Sequence, residues 1–228
     1  MTKPSKQLIT TIIIESTNQQ ILVHPCYFPS IATFAALVQE DVIWEANDNF
    51  QKQTYRNRCY ICTDKGKHML NIPIKHVGGA EGRQKYTDVE LDNTYNWKKI
   101  HWRTLETAYR TSPFFEFYED DIRPLYEGND DSLFEYNLKT IHTIADCLGI
   151  EFPTEKTSRY EPEPGNYFDA RFLVEAKKEA PLKIEPYTQV FGERHGFIPN
   201  LSVLDLLFNE GPNTLSYLKS QSLDFLDV

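Results

Sequence analysis

His24 and Cys26 stand two residues apart where the apolar run Ile21-Leu22-Val23 meets Pro25. Histidine exchanges its proton near neutral pH, so His24 can act as a general acid or base or orient an acceptor. Cys26 becomes a nucleophile only as a thiolate within reach of a base that a third group orients, and Asp41 or Asp48 can supply that group. Pro25 bends the chain, so the two side chains need not share a strand face. Each also has a plain structural alternative, a tucked thiol and a hydrogen-bonded core histidine.

A second concentration of polar chemistry runs from Asp48 to Arg58 and includes Gln51, Lys52, Tyr55 and Arg56. Arg56 and Arg58 share parity on an extended chain, so both can meet one carboxylate or phosphate. The alternative is an edge strand with solvated arginines. His101, with Lys98 and Arg103, falls near the start of a helical pattern, where free backbone amides favour anions. Equally, that basic face can simply be wet. The six histidines (24, 68, 76, 101, 142 and 195) include no HxH or HxxxH pair, so no metal site is assigned. Cys59 and Cys62 form a lone CxxC in a hairpin-like stretch, where their sulfurs face opposite ways, unlike a redox pair that opens a helix.

The elements that must position these groups follow from periodicity. Leu8–Glu15 and Ile21–His24 read as strands, and "SIATFAALVQE" reads as a helix capped by Ser30. "DVIWEA" then reads as a strand, completing one parallel βαβ unit. Alternation over Arg58–Thr63 and His68–Ile74 predicts a hairpin turning at Asp64-Lys65-Gly66, with a further strand at Val89–Leu91. Gly78-Gly79-Ala80-Glu81-Gly82 lacks dinucleotide or Walker spacing and reads as a crossing or lid loop that can carry Arg83 or Lys85 to a ligand. Helices are expected from Trp97 to Thr111 and from a cap at Asp131 or Ser132 to Gly149. "PFFEFYEDDIRPLYEG" is left unassigned. Residues 151–166 read as a surface connection, "DARFLVEAKK" as a helix, and the C-terminal region as two helices split at Asn209–Asn213. The fold class expected is α/β: a single compact domain over residues 8–224, a mixed sheet with at least one parallel βαβ unit, and a helical C-terminal part.

The chain has 228 residues, 33 acidic and 24 basic, for a formal net charge of −9. Nonspecific nucleic-acid binding runs on lysines and arginines, so this balance argues against it while allowing a local basic pocket. Four cysteines are too few for a disulfide scaffold, which makes a reducing, cytoplasmic location the default. No apolar run reaches membrane-spanning length, and "LITTIII" is too short and β-branched for a signal peptide. The abundant phenylalanine and tyrosine are expected mainly to fill the core.

Taken as a set, "VHPCYFPSIATFAALVQEDVIWEANDNFQKQTYRNRCYI", "LNIPI", "NWKKIHWRTLETAYRTSPFF" and "FIPNLSVLDLLFNEGPNTLSYL" resemble the WbqC-like protein family. His24, Tyr27, Pro29, Phe34, Asp41, Gln51, Lys52, Arg56, Asn57 and Arg58 fall in its pattern. The opening departs from it: the family's usual His-Gln-Pro reads His24-Pro25-Cys26 here. The resemblance implies an α/β fold and a bacterial surface-polysaccharide or modified-sugar context, with sugar-related or acyl/aminoacyl transferase-like chemistry. The expectation that joins it to the residues is an enzyme with a pocket at the carboxyl ends of the first strands. There His24 is base or acceptor-orienting group, and Arg56 and Arg58 hold an anionic donor such as a phosphate-linked sugar. Tyr27, Tyr55 and His101 complete the wall, with Asp48, Gln51 and Lys52 alongside. Two alternatives stand beside it: Cys26-dependent acyl or aminoacyl transfer, and a non-catalytic binding or assembly protein of the same pathway. No cofactor and no oligomeric state are assigned.

Overall fold

Strand β1 (Ile21–Val23) runs between β2 (Val42–Trp44) and β5 (Phe168–Asp169) and is parallel to both. Ile21 lies opposite Val42 on one side and Phe168 on the other. A strand with neighbours on both edges and cover on both faces reads as a continuous apolar run, and all three β1 residues are buried. This is a computed structural model that describes residues 19–75, 84–176 and 184–226. The expected Leu8–Glu15 strand, the Gly78–Gly82 loop and Arg83 lie outside the described residues.

Helix α1 (Ile31–Gln39) joins β1 to β2, giving the expected βαβ unit. Ser30 caps it by accepting a hydrogen bond from the Thr33 amide, and its apolar side is buried. Beyond β2, the Trp44 amide donates to the Glu155 carbonyl and the Thr157 amide donates to Trp44. The stretch expected as a plain surface connection therefore also extends the sheet edge.

Antiparallel β3 (Arg58–Thr63) and β4 (Gly66–Asn71) form the expected hairpin, with Cys59 opposite Leu70. Gly66 takes φ 93, which a side-chain-bearing residue rarely adopts at the turn. Past Asn71 the hairpin gives way to an isolated bridge between Ile74 and Leu91, so the Val89–Leu91 strand is reduced to bridging residues.

Around these strands pack α2 (Trp97–Tyr109), α3 (Phe115–Ile122), α4 (Leu133–Leu148), α5 (Gly192–His195), α6 (Val203–Glu210) and α7 (Thr214–Ser220). Ser132 caps α4, and Gly149 closes it at φ 66. The unassigned "PFFEFYEDDIRPLYEG" holds α3 and a 3-10 turn over Arg123–Tyr126. "DARFLVEAKK" is not a helix. Asp169 belongs to β5 and Arg171–Val174 is a 3-10 turn, while Lys177 and Lys178 lie outside the described residues. Pairing with β1 overrides helical propensity there: Ala170 donates to the Leu22 carbonyl, and the Asp169 side chain accepts from the Arg171 amide.

The rings do fill the core: Tyr27, Phe28, Phe34, Trp44, Tyr86, Phe115, Phe134 and Phe208 are fully buried. Together the elements make one α/β domain with a helical C-terminal part. No helix among the described residues is long and apolar enough to cross a membrane.

Candidate active site

In a parallel sheet the carboxyl ends of the strands share one edge, and ligands bind outside them where the strand order reverses. Here β2 and β5 flank β1 on opposite sides. His24 follows β1 directly, Glu45 follows β2, and Ala170-Arg171 follows β5.

His24 is 3% exposed, and its Nε2 lies 2.9 Å from Asp48 Oδ2. Arg56 Nη2 lies 2.8 Å from the same nitrogen and 3.2 Å from the same carboxylate oxygen. One tautomer donates Nε2–H to Asp48 and leaves Nδ1 as the basic nitrogen; the other accepts from Arg56 at Nε2. Burial pushes His24 down to about 4; the Asp48 hydrogen bond opposes that fall and the Arg56 charge adds to it. The imidazole is therefore neutral at pH 7. Burial alone would raise Asp48, but the hydrogen bond from His24, the Asn49 amide and Arg56 together hold it below the usual carboxylate range. His24 Nδ1 and Arg56 Nε are buried without a hydrogen-bond partner among the described residues.

The cluster borders a cavity of about 280 Å³ lined by His24, Asp48, Gln51, Arg56, Tyr160, Asp169, Arg171, Phe172, Val174 and Glu175. That lies just below the usual range for ligand sites, roughly 300–1,000 Å³. Arg171 builds the far wall. Its Nε and Nη2 grip Asp169 at 2.8 and 2.6 Å, and its remaining donors reach the Glu161 and Pro162 carbonyls. Tyr160 stacks on its guanidinium, 5.1 Å from ring centroid to Cζ.

Behind the cluster, Tyr86 and Asn137 fix both halves at once. The Tyr86 hydroxyl donates to the Pro25 carbonyl, next to His24, and Asn137 Nδ2 donates to Tyr86 and to the Arg56 carbonyl. Arg56 also lies over the Tyr86 ring at 5.4 Å. The run after His24 is strained: buried Phe28 takes φ 38, uncommon for an aromatic residue, between Pro25 and Pro29. The prolines and this turn present His24 and send Tyr27 back into the core.

The remaining sequence-predicted residues divide. Gln51 lines the cavity, and Lys52 is exposed nearby in sequence. Arg58 opens β3 and is absent from the lining. Arg56 precedes the strand in a turn, so shared strand parity does not join the two arginines. The Tyr55 carbonyl accepts from the Tyr27 amide, and its own amide donates to Val174 at the cavity wall. Cys26 is buried, which pushes its thiol up to about 12 although Arg56 pulls the other way. Tyr27 and His101 form a separate core network: the Tyr27 hydroxyl contacts His101 Nδ1 at 3.0 Å and the Tyr126 hydroxyl at 2.9 Å. Burial pushes His101 down to about 4. Sequence reasoning passed over Tyr160, Asp169, Arg171 and Glu175; the one local signal was Asp169-Ala170-Arg171, opposite charges two apart after an aromatic pair.

The WbqC-like protein family matches residues 24–179, beginning at His24 itself and reaching past Glu175. The chain belongs to the WbqC-like protein family. Every described residue of the cavity wall falls within the matched span. Uncharacterized protein Rv1507c of Mycobacterium tuberculosis (strain ATCC 25618 / H37Rv) is 29% identical over 213 residues, covering 81% of this chain and 89% of that protein. No solved structure matches. Where the family resemblance implies glutamine after the histidine, this chain has Pro25, whose carbonyl takes the Tyr86 hydrogen bond.

Proposed function

We propose that this protein is a transferase-like enzyme of modified-sugar or surface-polysaccharide synthesis, with His24 as general base toward a sugar-linked acceptor. The observation that carries this reading is the buried His24–Asp48–Arg56 cluster on a polar cavity at the carboxyl end of a central parallel strand. Asp48 orients the imidazole, and the His24 hydrogen bond, the Asn49 amide and Arg56 together keep Asp48 ionised. A neutral imidazole has a lone pair available to receive the acceptor's proton. The sugar context rests on family membership and the small polar cavity. A Cys26 nucleophile has less support, because a buried thiol at about 12 is protonated at neutral pH.

Purified protein should be incubated with nucleotide sugars, acyl donors and sugar acceptors, and products followed by mass spectrometry. His24→Gln should lower turnover about 10²–10⁴-fold, the usual contribution of a positioned base. Undiminished turnover in that variant removes His24 from the chemistry. Ligand-induced stabilisation without product in any donor–acceptor pairing would instead make this a binding protein of the same pathway.

A further inference from the structure

We infer that the cavity beside His24 takes an uncharged polyhydroxyl ring, the sugar itself rather than a phosphate or ammonium attached to it, and that Gln51 and Tyr160 read that ring. This rests on the reading that the cavity is the substrate site.

The charged side chains of the wall already answer one another. Arg171 grips Asp169 through Nε and Nη2, and the Glu161 and Pro162 carbonyls take its other bonds. Asp48 is held by His24, the Asn49 amide and Arg56. Glu175 has its own interactions within the chain and acts on the Arg56 charge. A phosphate would find the Arg171 fork filled by Asp169 and carboxylates facing it. An ammonium would have to draw a carboxylate away from its guanidinium. Either exchange leaves a charge in the wall without its partner, which is costly away from water.

The polar groups left over are uncharged. The Gln51 side-chain amide and the Tyr160 hydroxyl belong to the lining and make no hydrogen bond among the described residues. His24 borders the same cavity and adds Nδ1, buried and unpartnered among the described residues. An amide and a phenol each both donate and accept, as a sugar hydroxyl does, and a neutral imidazole accepts at one nitrogen. The rest of the lining is apolar: Phe172, Val174 and the Tyr160 ring, which stays 42% exposed although Arg171 lies against it. Such surface suits the C–H faces of a sugar, with the few uncharged polar groups fixing its orientation. At about 280 Å³ the cavity has room for one ring rather than for a nucleotide-linked sugar.

Ring-¹⁵N-histidine protein should be titrated at pH 7 with glucose, galactose and mannose, each beside its 6-phosphate and its 2-amino form, reading the His24 ring nitrogens. At least one of the three sugars should move the His24 signals, and neither charged form should bind more tightly than its parent. Inorganic phosphate and methylammonium should leave His24 unmoved. Tyr160→Ala should weaken the sugar about tenfold, equivalent to about 1.4 kcal/mol. Gln51→Ala should weaken it several-fold, and so should Tyr160→Phe, which keeps the ring on Arg171 and removes only the hydroxyl. Tighter binding of a charged form, a His24 response to phosphate or methylammonium, or no response to any of the three sugars overturns the inference. So does unchanged affinity in either alanine variant. A sugar bound as described but never turned over sustains the inference and overturns the transferase reading. The His24→Gln turnover assay decides the base assignment separately.

Discussion

Two buried clusters in this molecule are built around a carboxylate. Asp48 lies with a histidine and an arginine, while Asp205, on α6, is met by hydroxyls and an amide alone. Tyr109 donates to Asp205 Oδ1 at 2.6 Å, and Tyr187 and Gln189 donate to Oδ2 at 2.5 and 3.0 Å. The network closes on itself: Tyr109 accepts from the Cys62 amide, and Gln189 bonds both backbone groups of Ile198. No atom of its four side chains is left buried without a partner, and none of the four lines the His24 cavity. The Asp48 cluster is the reverse: it leaves His24 Nδ1 and Arg56 Nε unpartnered and borders a cavity. A satisfied, closed network ties segments together, whereas an unsatisfied one facing a cavity has capacity for a ligand.

The sharpest way to break this contrast is to disable each cluster and read both activity and stability. His24→Gln should cost about 10²–10⁴-fold in turnover while Tm moves only a few degrees. Asp205→Ala should do the opposite. Three donors lose their acceptor at about 1–3 kcal/mol each, so unfolding by denaturant should show a loss of about 3 kcal/mol or more. If Asp205→Ala folds normally and loses turnover while His24→Gln does not, the two clusters have been assigned the wrong way round.

The unequal legibility of the clusters in sequence has a physical cause. His24 could be read because an apolar strand runs into a histidine between turn-forming prolines, and Asp48 because it opens a polar stretch after the next strand. The βαβ unit, the hairpin, α2 and α4 were legible because each carries its own period or cap. Arg171 and Asp169 were not, since a two-residue strand has no periodicity. Its place is set by the open edge of β1, nearly 150 residues earlier in the chain. His101 looked like a site residue because helix starts attract anions, yet its ring is turned inward to Tyr27, a packing decision that helical spacing does not encode. Asp205 gave no signal, because a buried carboxylate in the first turn of a helix looks in sequence like an ordinary N-terminal acid.

Acid should act on the clusters with opposite sign. His24 and His101 are both pushed to about 4 by burial, below their unfolded value of 6.5. The unfolded chain therefore binds more protons between these values, so this stability is present above pH 6.5 and is lost as pH falls toward 4. At pH 5.5 each histidine should have cost the folded state roughly 1 kcal/mol relative to pH 7.5. Asp205 is shifted upward by burial, so its contribution favours the folded state more as pH falls through the carboxylate range. Denaturation measured from pH 7.5 to 5.5 should flatten in His24→Gln, and Asp205→Asn should make stability fall more steeply as pH drops through the carboxylate range. An unchanged slope in His24→Gln would mean that the histidine is not held neutral by its surroundings.

The smallest change that separates the clusters is one hydroxyl. Tyr86→Phe and Tyr109→Phe each remove an oxygen that both donates and accepts, Tyr86 between Pro25 and Asn137 and Tyr109 between Asp205 and the Cys62 amide. Each should cost about 1–2 kcal/mol of stability, so unfolding alone will not tell them apart. Their effects on His24 should differ. Tyr86 holds the carbonyl beside His24, and Asn137 holds the Arg56 carbonyl, so loss of the Tyr86 hydroxyl loosens the geometry that brings Arg56 to the imidazole. In ring-¹⁵N-histidine spectra, Tyr86→Phe should change the His24 tautomer balance and its titration midpoint. Tyr109→Phe should leave both as in the parent protein, because its partners contact neither His24 nor Arg56. Identical His24 spectra in the two variants, at matched loss of stability, would reduce Tyr86 to a packing residue and leave Asp48 alone to orient the ring.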